Sequence, residues 1–372
     1  MLRRINISNG ILRNFTYDGN LFDESIIELK KSNNINENVL SDSLLDFLFN
    51  EKKSGVNDEE FEEHLEQWLS SIKLTEYTCI YPINNVSFED NVSYLDGFIE
   101  LSKHSENIDC FIRRLQKNEK KNFFVGSNLI TLKVKGRSRN DAKEISINLA
   151  HYMAYIYNIA IFLEYNVFSD VHIGYDQKDY MWDGLVIKDK ENLSYFDSNQ
   201  NIIVPAHIKN LCIDNAILND LIGLLHKYSY QEKMSNIEKF ILLSLGLLGE
   251  SMRVKSRNYS FVMAMSSIES LLEKENERSI KNNVSIRCAR IVSDENNFKE
   301  TVYKFKEFYR KRSEISHGEV VYISERKLSE IISNAIYILF YFVKELPRIE
   351  ETYGNADFHE YFDDILPKKG NY

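Results

Sequence analysis

Apolar residues in the second half of the chain recur every three or four positions, which is the spacing of one face of an α-helix. Five segments with this spacing follow one another and are separated by short polar stretches. They cover residues 236–254, 258–277, 285–294, 297–315 and 324–346. Helices joined by short connections pack as a bundle, and Pro347 is expected to end the last of them.

The first half of the chain has a more varied pattern. Residues 128–136 alternate apolar and polar side chains, as a half-buried β-strand requires. Residues 77–83 and 182–189 are two further strand candidates. The stretch 137–165 has helical spacing, and the polar composition of residues 188–201 predicts a loop.

Together these patterns predict an α+β protein, in which a mixed α/β N-terminal domain is followed by an all-α helical bundle. The predicted boundaries are residues 1–230 for the N-terminal domain, 231–346 for the bundle and 347–372 for an acidic, aromatic tail. The tail either docks on the body of the protein or is disordered. A length of 372 residues agrees with two domains.

Composition limits the ligands and the cellular location that are expected for the protein. A net charge of -10 argues against non-specific coating of nucleic acid, so any RNA contact must come from a local basic patch. The four cysteines lie far apart without a CxxC spacing, which favours free thiols and predicts no metal site. No apolar stretch approaches the ~20 residues that a membrane span needs. The expected location is the cytoplasm.

One segment departs from the overall acidity. Residues 278–312 contain ten basic and four acidic residues, a net charge of +6, which is the kind of local footprint that phosphate binding requires. A solvated helix face is the other interpretation of such a segment. The basic residues predicted to contact RNA are Arg287, Arg290, Lys304, Lys306, Arg310 and Lys311.

The basic segment runs into an Arg–His pair, Arg312 and His317. Arg312 extends an apolar stripe formed by the helical positions 298, 302, 305 and 309. In an unbroken helix the two side chains diverge by about 140°. Gly318 predicts a helix C-terminus, where the dipole favours the protonated form of His317. A snorkelling arginine and a capping or core histidine are the structural alternatives.

The stretch RKRSEISHG, residues 310–318, resembles the Arg-x4-His signature of the HEPN superfamily, most closely its Apea-like branch. In that branch Arg-Ser and His-Gly flank the spacer, as they do here. The segment 261–273 is similar to the preceding helix of those domains, with Glu269 placed before paired leucines. The helical order also matches, and the resemblance covers about residues 236–346. The strand and helix from residue 128 onwards are similar to the segment that precedes these domains.

The resemblance implies a metal-independent endoribonuclease that needs no cofactor. Such nucleases act as homodimers with a composite active site, so the two motif residues need not meet within one chain. It assigns Arg312 to the phosphate, His317 to proton transfer, Ser313 and Ser316 to supporting hydrogen bonds, and Glu269 to bracing either the arginine or the core. Many members have Asn where this chain has Ser313.

The resemblance further implies a role in bacterial anti-phage defence through abortive infection, with tRNA as one possible substrate. The N-terminal domain would then sense a phage-derived trigger or a regulatory partner. Two alternatives stay open. The bundle is a non-catalytic RNA-binding or assembly module that acts with a partner, or it is a purely structural dimerisation domain.

Overall fold

A computed structural model describes the protein at residues 74–87, 91–103, 128–136, 139–173, 184–189, 192–196, 204–205, 215–274 and 277–353, together with His64 and Tyr361. The chain divides into two compact units. The smaller comprises residues 1–79, 133–147 and 229–231, and the larger comprises residues 80–132, 148–228 and 232–372. The predicted domain boundaries near residues 230 and 346 stay a prediction.

The strands of the described chain form three sheets. They are β1 (Thr75–Asn84), β2 (Val86–Ser87), β3 (Val92–Tyr94), β4 (Ile99–Lys103), β5 (Asn128–Gly136), β6 (His172–Ile173), β7 (Gly184–Asp189), β8 (Asn192–Phe196) and β9 (Val204–Pro205). The largest sheet has the order β3-β4-β5-β1-β6, with antiparallel pairing of β3 with β4, β4 with β5, and β1 with β6. Strands β7 and β8 pair antiparallel, and β2 pairs with β9 in parallel.

The alternation in β5 is confirmed, since Ile130, Leu132 and Val134 are buried between less buried polar neighbours. The predicted loop at residues 188–201 is wrong in part, because β8 lies within it. Antiparallel pairing with the adjacent β7 satisfies the backbone of this polar segment, and local hydrogen bonding outweighs its composition.

Seven helices have bounds within the described ranges. They are α1 (Arg139–Tyr165), α2 (Asn215–Ser229), α3 (Asn236–Arg253), α4 (Arg257–Leu272), α5 (Ile280–Val292), α6 (Phe298–Ser316) and α7 (Glu325–Tyr353). The five helices predicted after residue 231 are therefore present. An antiparallel sheet region is followed by a mostly helical region, as the mixed α and β pattern predicted.

Helix α4 lies at the centre of the helical region, where it contacts α3, α5, α6 and α7. Small side chains allow it to approach α3 closely, and the hydroxyls of Ser244 and Ser267 lie 2.8 Å apart. Ser267 also donates a hydrogen bond of 3.0 Å to the Ser244 carbonyl. Glu269 lies on this central helix and is only 6% exposed, so its carboxyl is largely excluded from water.

The end of α7 differs from its prediction. The helix passes through Pro347 and continues to Tyr353, so the predicted tail begins inside a helix. Burial of Ile349 beyond the proline offsets the hydrogen bond that Pro347 cannot donate. Within the tail, Tyr361 is buried and its hydroxyl lies 2.7 Å from that of Tyr341, so this part of the tail docks on the body. No helix of the described residues is long and apolar enough to cross a membrane.

Candidate active site

The C-terminus of α6 holds His317 in a defined position. The Gly318 amide donates to the Ile315 carbonyl, and the Glu319 amide donates to the Glu314 carbonyl, each at 3.0 Å. Gly318 has a φ of +82°, so these bonds form the Schellman motif that ends many helices. The predicted helix end at Gly318 is confirmed. His317 is the exposed C-cap residue, and its amide donates to the Ser313 carbonyl at 3.0 Å.

Arg312 lies on the last turns of α6 and faces α4. Its Nη2 lies 3.1 Å from Oε2 of Glu269, and its guanidinium carbon lies 6.0 Å from the centre of the Tyr309 ring. The Arg312 side chain is 31% exposed, whereas that of Glu269 is 8% exposed. A buried carboxylate therefore holds an arginine that still reaches solvent. This contact agrees with the bracing role that the resemblance implied for Glu269.

The electrostatic state of Glu269 is unusual for an ion-paired carboxyl. Its pKa is raised to about 7, mainly by burial and to a lesser extent by the charge of the nearby Glu273. The Arg312 charge and a hydrogen bond from Tyr309 lower it, but they do not cancel the burial. The pKa of Glu269 therefore lies close to neutral, although Arg312 is in contact with the carboxyl.

The thiol of Cys288 lies in the same electrostatic environment. It is buried on α5, and both burial and the charge of Glu269 raise its pKa well above its ordinary value. A thiol in this state is neutral and unreactive, as the sequence predicted for the cysteines. Cys79 is also a free thiol, while the other two cysteines lie outside the described residues.

The two serines of the motif differ in their surroundings. Ser313 is half-buried, whereas Ser316 is exposed beside His317. Their supporting roles stay predictions.

The predicted apolar stripe of α6 is correct only in part. Phe298 and Phe305 are buried as predicted, but the third buried position is Phe308 rather than Tyr309. Phe308 packs edge-to-face on Phe261 of α4 at 5.8 Å. Tyr309 is half-buried, and its hydroxyl interacts with Glu269. The apolar core therefore does not extend to Arg312, and Arg312, Tyr309 and Glu269 form a polar cluster between α4 and α6.

Arg287 corrects the predicted RNA-binding set. Its side chain is 5% exposed and forms two bonds of 2.7 and 2.6 Å with the Glu277 carboxylate. Its Nη1 also donates to the Leu272 carbonyl at 2.7 Å, so it joins α5 to the end of α4. The prediction that Arg287 contacts RNA is wrong, because its guanidinium is buried and bonded to Glu277 and the Leu272 carbonyl.

The other five basic residues of that set lie at the surface to different degrees. Lys304 pairs with Glu330, and Arg310 pairs with Glu314 one turn later. Lys306 is half-buried with its Nζ 6.0 Å from the centre of the exposed Tyr303 ring. Lys311 and Arg290 are also half-buried. Acidic neighbours thus neutralise part of the surface that the count of basic residues suggested.

Two polar features were missed by the sequence reasoning. The first is Tyr309, which resembles an ordinary stripe residue until its ring is found beside Arg312. The second is a cluster between α1, the segment after it and α3, where the Tyr155 hydroxyl donates to Glu250. Arg253 lies 3.4 Å from both Glu250 and Asp170. The members of this cluster are His151, Tyr155, Asp170, His172, Glu250 and Arg253.

A single glycine explains how this second cluster forms. A Cβ on Gly249 would lie 2.0 Å from Cγ of Tyr155, so only glycine lets that ring lie against α3. His172 lies beside Asp170, so the sequence-based prediction that it has no acidic partner at informative spacing is wrong. The α3 members, Glu250 and Arg253, are distant in sequence, and no short-range spacing could have indicated them. Among the described residues, no group of three or more His, Cys, Asp or Glu side chains is placed to hold a metal ion.

No protein-family model, curated protein or solved structure is significantly similar to this chain. The resemblance to the HEPN superfamily rests on the residues quoted above and stays a prediction.

Proposed function

We propose that this protein is a metal-independent endoribonuclease with Arg312 and His317 in its active site. One observation carries the proposal. A partly exposed arginine, held from behind by the buried Glu269, precedes an exposed histidine at a Schellman-capped helix end. Arginine and histidine are the side chains that bind a phosphate oxyanion and transfer protons near neutral pH.

The proposed reaction needs only these two kinds of group. The RNA 2′-oxygen forms a bond to the adjacent phosphorus, and the bond from phosphorus to the 5′-oxygen breaks. One histidine takes the proton of the 2′-hydroxyl, and an acid protonates the leaving 5′-oxygen. The products are a 2′,3′-cyclic phosphate and a 5′-hydroxyl. Arg312 binds the non-bridging oxygens and stabilises their charge in the transition state.

A homodimer would supply both the acid and the base. Exposed apolar residues beside the motif support this arrangement, since Val320 is 104% exposed and Tyr322 is 78% exposed in the segment after His317. Apolar side chains beside a functional residue favour an interface that covers them. In the proposed dimer, this segment contacts the second copy, and each His317 works opposite the motif of its partner.

The remaining parts of the proposal concern the substrate and its setting. The exposed or half-buried cations Arg290, Lys304, Lys306, Arg310 and Lys311 would contact the RNA backbone. Following the resemblance, we place the activity in bacterial anti-phage defence, with RNA damage causing abortive infection.

An RNA cleavage assay with purified full-length protein tests the proposal. Total tRNA is incubated in EDTA with wild type, His317→Ala or Arg312→Ala, and the products are treated to detect a cyclic phosphate. We expect wild type to cleave and each variant to lose about 10²-fold or more in rate, the usual contribution of a proton-transfer or oxyanion group. His226→Ala and Arg348→Ala are matched controls on α2 and α7, and both should cleave like wild type.

Each result separates the candidate functions. Cleavage that survives EDTA and is lost in both motif variants supports the nuclease. RNA binding without cleavage by wild type would favour the non-catalytic RNA-binding module. The absence of both binding and cleavage at low salt would favour a structural dimerisation domain. Equal cleavage by wild type and His317→Ala would contradict the proposed site.

A further inference from the structure

The contact between Arg312 and Glu269 places a carboxylate against the guanidinium that a phosphate would bind. A guanidinium binds an oxyanion through two parallel N–H groups, and Nη2 belongs to both of the edges that offer such a pair. In the structure Nη2 lies 3.1 Å from Oε2 of Glu269. Nη2 carries one N–H on each edge, so a phosphate can still reach the other edge, but the Glu269 carboxylate neutralises the charge of Arg312 and repels that of the phosphate.

The pair is also incompletely bonded. Oε1 of Glu269 and Nε of Arg312 are both buried, and neither has a hydrogen-bond partner among the described residues. A buried charge with an unsatisfied oxygen is costly, and that cost falls when the carboxyl takes up a proton. The arrangement is therefore poised between a charged pair that restrains Arg312 and a neutral acid that releases it.

The groups that face Glu269 come from three helices. Arg312 and Tyr309 approach from α6, Glu273 lies at the end of α4 itself, and Cys288 approaches from α5. Arg312 is the only one of these four that is cationic at neutral pH, so protonation of Glu269 removes the one charge that holds it. The raised pKa of Glu269, about 7, agrees with this geometry.

We infer that Glu269 is a positioning residue that competes with the RNA phosphate for Arg312 and gives up that competition when it is protonated. This inference rests on the proposed function. It assigns to Glu269 a proton-linked restraint in addition to the bracing of the arginine. RNA should bind more tightly at the acidic side of neutrality, and a neutral side chain at position 269 should bind RNA tightly at every pH in this range.

The test measures RNA binding in a background that cannot cleave. His317→Ala serves this purpose and also removes the titration of the motif histidine. Fluorescence anisotropy of a short fluorescein-labelled RNA is recorded at constant ionic strength. With a pKa of about 7, we expect affinity to fall by up to about tenfold between about pH 6 and about pH 8. Adding Glu269→Gln should abolish most of this change and keep the affinity high at the upper pH.

Glu273→Gln is the matched control, because it removes the same charge one helical turn away and should keep the pH dependence. An unchanged pH dependence in Glu269→Gln would overturn the inference and leave the proposed function intact. Loss of the pH dependence in Glu273→Gln as well would overturn it too, since a general charge effect would then explain both. If none of the proteins binds RNA even at low salt, the proposed function fails and the inference fails with it.

Discussion

The helical region contains two Arg–Glu pairs that differ in how completely they are bonded. Arg287 on α5 binds both oxygens of Glu277 and a backbone carbonyl, at distances of 2.6 to 2.7 Å. Arg312 on α6 has one contact of 3.1 Å with Glu269. In the first pair, both partners are largely buried, while in the second the arginine is 31% exposed above a buried carboxylate.

This difference separates a structural arginine from a candidate functional one. The Arg287 guanidinium is buried away from any ligand, and its removal would leave a largely buried carboxylate unpaired. An incompletely bonded pair such as that of Arg312 and Glu269 keeps part of the guanidinium at the surface, where a ligand can reach it. Perturbed titration at Glu269 also agrees with a site, since functional residues often show such shifts.

The largest expected effect concerns stability, and it compares Arg287→Ala with Arg312→Ala. Removing Arg287 leaves Glu277 and the Leu272 carbonyl without their partner, and we expect a loss of about 3 kcal/mol in the free energy of unfolding. Removing Arg312 should cost within about 1 kcal/mol, because Glu269 can take up a proton in response. Urea denaturation followed by circular dichroism measures both values. Equal losses would break the distinction between the two pairs.

The next effect is the pH dependence that Glu269 gives to folding. Its pKa is about 7 in the folded protein against an ordinary value of 4.5, so the folded state holds the proton more strongly than the unfolded chain. Stability should then fall as pH rises from about 4.5 to about 7, by an amount of the order of 2 kcal/mol. Glu269→Gln should remove this component.

Urea denaturation at several pH values, with wild type and Glu269→Gln compared at each, isolates that component from other titrating groups. The difference between the two free energies of unfolding should change steadily across this window and level off above it. A difference that stays constant with pH would show that burial does not perturb Glu269.

The smallest expected effect concerns the cap that holds His317. Gly318→Ala should cost about 1 kcal/mol, because an L-residue is strained at a φ of +82°. A Cβ at this position meets no atom within 4 Å, so backbone strain alone is responsible. Thermal unfolding measures the loss. A variant as stable as wild type would mean that the Schellman motif contributes little to the position of His317.

Much of the fold could be predicted from the sequence, because periodicity is a local property. The five helices after residue 231 and the alternating strand β5 follow directly from the spacing of apolar residues. Two failures have non-local causes. Strand β8 exists because β7 pairs with it, and α7 continues beyond Pro347 because Ile349 is buried. Neither pairing nor burial is visible in a single segment.

The candidate site likewise has features that the sequence predicted and features that depend on contacts between helices. Its two named residues lie five positions apart, and the helix end between Arg312 and Gly318 was predicted from their order. The role of Tyr309 and the elimination of Arg287 depended on neighbours from other helices. A count of basic residues could not reveal which cations are paired, because their acidic partners lie up to tens of residues away in the chain.

The sequence by itself determined the helices, the capped end of α6 and the residue types of the motif, since each of these depends on side chains within a few positions of one another. The tertiary structure alone decided that Arg287 is buried in a fully formed ion pair and that Arg312 remains partly exposed. Packing of α4 among four helices buries Glu269, and this burial raises its pKa and strengthens its interaction with Arg312 when it is charged. Electrostatic energy depends on distance and solvent exclusion in space, and neither can be read from positions along a chain.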